Sequence, residues 1–266
     1  MKNVLVNFSY GDKCIESIDG DIFLNSMKKY KTFEKVCFVN QVSEAAQQKL
    51  RKYFDILVPT DERIYTAHLA IYEWLIQRQD QYKYVLQSDL RDVVLQRDPF
   101  EFFENNPQYD MFYTLEGMPI KDNDCNMFWH DSYIQMLRSH NKNYSDSMII
   151  NGGIVAGKIE SYCNHLLMIF TNTNRLSKYL IQDQQFMGYL YQFIKDNPRV
   201  LMSHPYSDTF CCTGEAIKRD NVKITFDGTN ACNLNGEPYY IFHQWDRTEF
   251  ANQILDKEKS TLRFSF

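Results

Sequence analysis

Apolar positions along the first half of the chain switch repeatedly between a period of two and a period near 3.6. Val4–Phe8 is apolar and rich in β-branched residues, and it stops at Ser9-Tyr10-Gly11-Asp12, which predicts a buried strand. Ile22–Tyr30 carries helical spacing, Val36–Asn40 reads as a short strand, and Ser43–Tyr53 reads as a helix capped by Ser43. Asp55–Pro59 is a further strand. Ile64–Gln77 places Ile64, Ala67, Ile71, Trp74 and Leu75 on one helical face, and Tyr84–Leu86 is a strand running into Ser88-Asp89. Strands alternating with helices in this way imply a mostly parallel sheet covered on both faces.

The second half is less regular. Asp110–Leu115 predicts a strand, and the polar stretch Lys121–Lys142 predicts a loop with a short helix over a cleft. Met148–Ala156 is a strand interrupted by Gly152-Gly153, followed by a helix from Ile159 to Phe170. Gln182–Ile194 is helical through Phe186, Tyr189, Leu190 and Phe193, and Tyr239–Phe242 is a strand with His243 just past its end. No internal repeat and no Pro/Gly/Ser-rich linker divides the 266 residues, so a single domain is expected.

Composition narrows the classes. With 44% hydrophobic and 24% charged residues, the chain can form a packed core. Its 18 Tyr and 19 Phe are spread along the whole length, which fits codon bias better than a sugar-stacking cleft. A net charge of −5 with no basic stripe argues against a nucleic-acid partner. The seven cysteines show no zinc-knuckle spacing, and no stretch approaches the ~18 apolar residues of a spanning helix. Reduced thiols and a cytoplasmic location are therefore expected. The tail from Asp256 to Arg263 is mixed in sign, and Lys257, Lys259, Arg263, Phe264 and Phe266 are compatible with a weak peripheral contact to an anionic membrane.

Four features carry candidate chemistry. Tyr84-Val-Leu-Gln-Ser-Asp-Leu-Arg-Asp92 delivers Asp89 and Asp92 at the carboxyl end of a strand, where open α/β sheets bind ligands. Two carboxylates there can coordinate a hard divalent cation, or they can cap the next turn and pair with Arg91. Ile149-Ile-Asn-Gly-Gly-Ile-Val-Ala-Gly157 contains consecutive glycines that mark either close approach of a ligand or a structural bulge. Asp183-Gln184 opens a helix, where an acid can cap it or aim into a cleft. His243, after an apolar strand, is a structural imidazole or the third ligand that two carboxylates lack.

Taken in order, an acidic strand end, an Asn-Gly-Gly strand, an Asp-Gln pair and a late histidine resemble the nucleotide-diphospho-sugar glycosyltransferases of the GT-A fold. The nearest likeness is to the glycogenin- and lipopolysaccharide-galactosyltransferase-like retaining enzymes, over roughly Val4 to Arg247. The resemblance implies a Rossmann-like, mostly parallel sheet flanked by helices, with a smaller antiparallel region on the acceptor side. It implies a mainly nucleotide-binding half over 1–120, a mainly acceptor-side half over 121–250 and a tail over 251–266. Metal binding falls by resemblance on Asp89, Asp92 and His243, with Mn²⁺ or Mg²⁺ as cofactor. Here the two acids are separated by two residues, where the family's Asp-x-Asp has one. Asp183 and Gln184 take catalytic places beside the sugar. Phe8, Ser9, Tyr10 and Gly11 would hold the base and ribose, Arg63 would contact the diphosphate or cap its helix, and Asn151 would lie beside the sugar and acceptor, with Ser88, Arg91, Gly152 and Gly153 also in the substrate-binding set.

The implied reaction is metal-dependent transfer of a hexosyl or pentosyl group from a nucleotide sugar, with UDP the commonest carrier, to a glycan hydroxyl with retention. Asp89 and His243 should line an exposed cleft. A nucleotidyltransferase that makes nucleotide sugars is the first alternative, although Ser9-Tyr-Gly-Asp-Lys-Cys14 has one Gly and no Arg where that class carries a Gly-rich basic loop. The second alternative is a non-catalytic sugar-binding protein on a decayed transferase fold.

Overall fold

Val4 and Val6 are fully buried against one helical layer and Leu5 against the other, so the first apolar run serves both faces of a sheet. It forms β1 (Lys2–Tyr10) in a computed structural model that describes residues 1–62, 67–137, 144–174, 183–205, 208–214, 216–217, 224–249 and 251–256. For residues 129, 132–137, 173–174 and 183–185 the backbone is described and the side chains are not. Arg63 and the basic and aromatic tail residues lie outside the described residues.

The remaining strands of the main sheet are β2 (Phe33–Asn40), β3 (Ile56–Pro59), β4 (Tyr82–Ser88), β6 (Met111–Pro119), β7 (Met148–Lys158) and β8 (Val200–Ser203). Their spatial order is β3-β2-β1-β4-β7-β6-β8. All pairings are parallel except those of β7, which runs antiparallel to both β4 and β6. Helices α1 (Ile18–Lys28), α2 (Glu44–Leu50) and α4 (Pro99–Asn105) cover one face through Phe23, Leu24, Met27, Ala46, Leu50, Phe100 and Phe103. Helices α3 (Ala67–Ile76), α6 (Ile159–Asn174) and α7 (Asp183–Ile194) cover the other through Ile71, Leu75, Tyr162, Leu166, Ile169, Phe186 and Leu190. The α/β class with a mostly parallel sheet is as expected.

Local chemistry sets several boundaries. Ser43 caps α2 by accepting from Ala46 N at 3.2 Å, as expected. The first helix starts earlier than Ile22 because Ser17 Oγ accepts from Gly20 N at 3.0 Å and caps it at Ile18. Asp98 caps α4, with Pro99 at its first turn, an N-terminal signal that apolar periodicity alone passes over. The polar stretch after Lys121 is not chiefly a loop: it contains α5 (Asp124–Leu137), a helix of 14 residues.

Much of the aromatic richness is core. Phe102, Phe103, Phe112 and Phe210 meet in stacked and edge-to-face pairs, with Phe103 and Phe112 centroids 4.6 Å apart. A second, three-stranded sheet orders β5 (Val93–Leu95), β12 (Ile241–His243) and β9 (Cys211–Thr213), and a small antiparallel pair joins β10 (Thr225–Phe226) to β11 (Ala231–Cys232). Val94, Cys212, Phe242 and Trp245 form the apolar layer beneath these strands. No helix of the described residues is long and apolar enough to cross a membrane.

Candidate metal centre

Two strand ladders bring distant residues to one point. β4 ends at Ser88, so Asp89 leaves the carboxyl edge of the main sheet, where Asp89 N donates to Gly153 O at 2.9 Å. β5 begins directly after Asp92, and its antiparallel register with β12 sets Val93 opposite His243. Gln244 N then donates to Asp92 O at 2.7 Å. Asp92 has φ +53°, the left-handed region that Asp tolerates better than most residues, and this bend lets acids two residues apart face one another.

Among the described residues, Asp89, Asp92 and His243 are the one group of acidic, His or Cys side chains with three convergent ligand atoms, all within 4.8 Å of one another. His243 Nε2 lies 3.4 Å from Asp92 Oδ1 and 3.6 Å from Asp89 Oδ2. The expectation that Asp89 and His243 both line an exposed cleft needs correction for His243. Only Asp89 is open, with a side chain 59% exposed, whereas Asp92 and His243 are 5% and 3% exposed. The β5–β12 ladder holds them, so they form the buried side of the trio with Asp89 on the open side.

Burial opposes charge on His243, but the carboxylates of Asp89 and Asp92 outweigh it and raise its pKa to about 9. Without a cation the imidazolium is therefore the counter-charge for both acids. Arg91 adds a contact to Asp92 Oδ2 at 3.5 Å, and Arg247 approaches the same oxygen at 4.0 Å.

The donor set suits a divalent cation. Two hard oxygens suit Mn²⁺ or Mg²⁺ and the imidazole favours Mn²⁺ of the two, and cis donors around such an ion, at about 2.1 Å each, sit roughly 3 Å apart. The space is kept open by Gly153: a Cβ there would lie 2.5 Å from His243 Cε1 and 2.6 Å from Asp89 Oδ2. Three protein ligands leave positions free for oxygens of a bound group.

The other sequence-derived candidates divide. The Phe8–Gly11 segment ends β1 beside β4, on the same sheet edge as Asp89; Ser9 is buried, Tyr10 is exposed, and Gly11 turns at φ +67°. Ser88 is buried, accepting from Asn7 Nδ2 at 2.9 Å and donating to Asp89 O at 3.2 Å. Arg91 stands half exposed beside the acids. Asn151 is 4% exposed; its Oδ1 accepts from Gly153 N and its Nδ2 donates to Glu116 Oε1, both at 2.9 Å. Asp183 and Gln184 open α7, and their side chains lie outside the described residues.

Three residues of the site were not singled out by sequence. Asn7 binds Ser88 O at 2.7 Å and reaches Asp89 O at 3.5 Å; its signal was an amide inside a buried apolar strand. Glu116 falls just past the expected strand end at Leu115 and inside the longer β6. Arg247 had only its closeness in sequence to His243.

Compared by fold, the chain is similar to galactosyltransferase LgtC, solved in complex with donor and acceptor sugar analogs. That match covers 97% of this chain and 95% of the other at a TM-score of 0.55 and 12% identity. It also aligns with mouse xyloside xylosyltransferase 1 in its apo form, over 91% of this chain and 97% of the other, at a TM-score of 0.49 and 15% identity. By sequence it matches no protein-family model and no curated protein. The likeness to LgtC establishes the fold as GT-A in type, with the helix-flanked, mostly parallel sheet that the ordered motifs implied.

Proposed function

We propose that this chain is a divalent-metal-dependent glycosyltransferase that moves a sugar from a nucleotide-diphosphate sugar, with UDP as carrier, to a glycan hydroxyl. The observation that carries the reading is the convergence of Asp89, Asp92 and His243 at the carboxyl edge of a GT-A sheet. These three residues would hold Mn²⁺, which when bound supplies Lewis-acid neutralisation of the leaving diphosphate. Arg91 and Arg247 stand beside the acids and would pair with diphosphate oxygens. The Phe8–Gly11 turn, one strand over, would take the base and ribose, with Arg63 also directed to the diphosphate.

Asp183 and Gln184 would flank the sugar, and Gly152 and Gly153 would let it approach the backbone. A carboxylate and an amide beside the anomeric carbon suit an oxocarbenium-like transition state, and retention is carried over from the resemblance to the retaining enzymes. The 1–120 half would bind the nucleotide and the 121–250 half the acceptor. A cytoplasmic enzyme with weak peripheral contact to membranes through its tail completes the reading.

The test is release of nucleoside diphosphate from a panel of UDP-sugars, with Mn²⁺ and with chelator. Metal-dependent release, lost in Asp92→Asn, is the expected result. Release of pyrophosphate from a nucleoside triphosphate and a sugar phosphate would replace the reading with nucleotidyl transfer. Donor binding without turnover on any acceptor would replace it with a sugar-binding role.

A further inference from the structure

The strand that carries Asn151 does not run straight. Tyr113 of β6 pairs with Val155 of β7, but the next residue, Thr114, pairs with Asn151, so residues 152–154 are expelled as a bulge. On the opposite edge, Ile154 stays in register with Ser88 of β4. The bulge is thus pushed towards the end of β4, where Gly153 O receives Asp89 N and the Gly153 Cα faces His243. One side chain closes it: Asn151 Oδ1 accepts from Gly153 N at 2.9 Å. Asn151 is itself anchored through Nδ2 on the buried carboxylate of Glu116, also at 2.9 Å.

We propose that Glu116 and Asn151 are positioning residues: by fixing the bulge they set where Gly153 lies, and Gly153 sets the separation of Asp89 from His243. Neither needs to touch the cation. The series Glu116–Asn151–Gly153–Asp89 is continuous, each link being a hydrogen bond of 2.9 Å. The inference deepens the metal-dependent reading above and rests on it. It gives Asn151 a role other than direct sugar contact, since both ends of its amide are engaged within the protein.

The bond from Asn151 to Glu116 has a direction, and the direction can be reversed. In Asn151→Asp the oxygen facing Gly153 N is kept, but the donor facing Glu116 becomes a second acceptor. Asn151→Asp combined with Glu116→Gln restores one donor and one acceptor with the partners exchanged. The readout is Mn²⁺ affinity by titration calorimetry on the full chain without nucleotide, alongside the thermal midpoint.

Asn151→Asp should weaken Mn²⁺ binding about tenfold, the range seen when groups behind metal ligands are lost. Glu116→Gln alone should stay near wild type, because its amide oxygen still accepts from Asn151. The exchanged pair should recover to within about threefold of wild type, on the same scale. If Asn151→Asp does not fold, Glu116→Leu leaves the Asn151 amide unanchored without a like-charge contact, and it should show the same weakening.

Wild-type affinity in Asn151→Asp, or no recovery in the exchanged pair when Glu116→Gln is normal, would overturn the positioning role while leaving the transferase reading intact. A chain that binds Mn²⁺ through Asp89 and His243, responds to the exchange, and releases no nucleoside diphosphate would do the reverse. No Mn²⁺ binding by the wild type would overturn both.

Discussion

Replacing Gly153 by alanine is the sharpest perturbation of the metal centre, because it adds one carbon and no charge. Its φ lies outside the left-handed region, so the glycine is needed for space and not for backbone freedom. The added Cβ would meet His243 Cε1 at 2.5 Å, Asp89 Oδ2 at 2.6 Å and His243 Nε2 at 3.0 Å. An unstrained carbon contact is about 3.5–4.0 Å, so the overlap is near 1 Å. His243 is buried on its ladder and cannot move without disturbing β12, whereas the Asp89 carboxylate is mostly exposed and can swing outward. Relaxation should therefore proceed through Asp89, and one of the three ligands is lost. Mn²⁺ affinity should fall by more than the about 10–100-fold that follows loss of a group behind a ligand. Overpacking of the remainder costs about 1–3 kcal/mol, which at about 2–4 °C per kcal/mol lowers the thermal midpoint by roughly 2–12 °C. Gly228→Ala is the control: it has open space and φ +88°, so it should lose about 1–2 kcal/mol to backbone strain and nothing in metal affinity. Calorimetric Mn²⁺ titration of both variants reads the difference. Wild-type affinity in Gly153→Ala would refute the packing argument.

Other perturbations reach separate parts of the structure. His243→Ala removes the imidazolium that faces Asp89 and Asp92 and leaves Asp92 only its longer contacts to Arg91 and Arg247; Mn²⁺ binding should disappear and stability should drop by about 1–3 kcal/mol, measured by urea unfolding in chelator. His165, buried on α6 and bonded to Tyr113 Oη at 2.9 Å, has its pKa lowered to about 3 by burial and then by His68. The unfolded chain takes up this proton near pH 6.5 and the native state does not. Stability is thus complete above that pH and falls as the pH drops towards 3, by about 2 kcal/mol at pH 5. His165→Gln should remove that slope, and parallel losses of wild type and variant between pH 7.5 and 5 would contradict it. Asp110 joins Lys158 at 2.9 Å and Arg199 at 2.6 Å, tying the starts of β6 and β8 to the end of β7. Burial raises its pKa, but the hydrogen bonds from Lys158 and Arg199 outweigh it and hold it below the ordinary value. Asp110→Asn should cost about 1–2 kcal/mol at pH 7, and the difference should shrink as the pH falls below about 4, where the unfolded chain's carboxylate protonates while the native one still resists.

What the sequence made legible follows from what it encodes locally. β1 and β2 were readable because their apolar runs are buried on both faces, and the cap at Ser43 because a single hydroxyl makes it. Strand β5 and helix α4 were not: β5 is three residues long and owes its place to β12, far along the chain. The candidate trio of Asp89, Asp92 and His243 was legible as acids at a strand end and a late imidazole, and the fold brings the three together. The burial of Asp92 and His243 was not, because it comes from the β5–β12 ladder, which joins residues far apart in the chain. Asn7 stood in plain view as a polar residue within an apolar strand, a pattern that identifies an internal partner without naming it, whereas Glu116 fell just past the expected strand end at Leu115 and inside the longer β6.

The β5–β12 ladder makes the site contingent on how far synthesis has advanced. A nascent chain that has reached β8 already owns both acids and the bulge, yet it lacks the imidazole and the strand that holds Asp92 in place. The candidate cation site thus closes only when β12 docks against β5, and on the proposed reading metal capture by a refolding chain would report that late docking rather than the onset of folding.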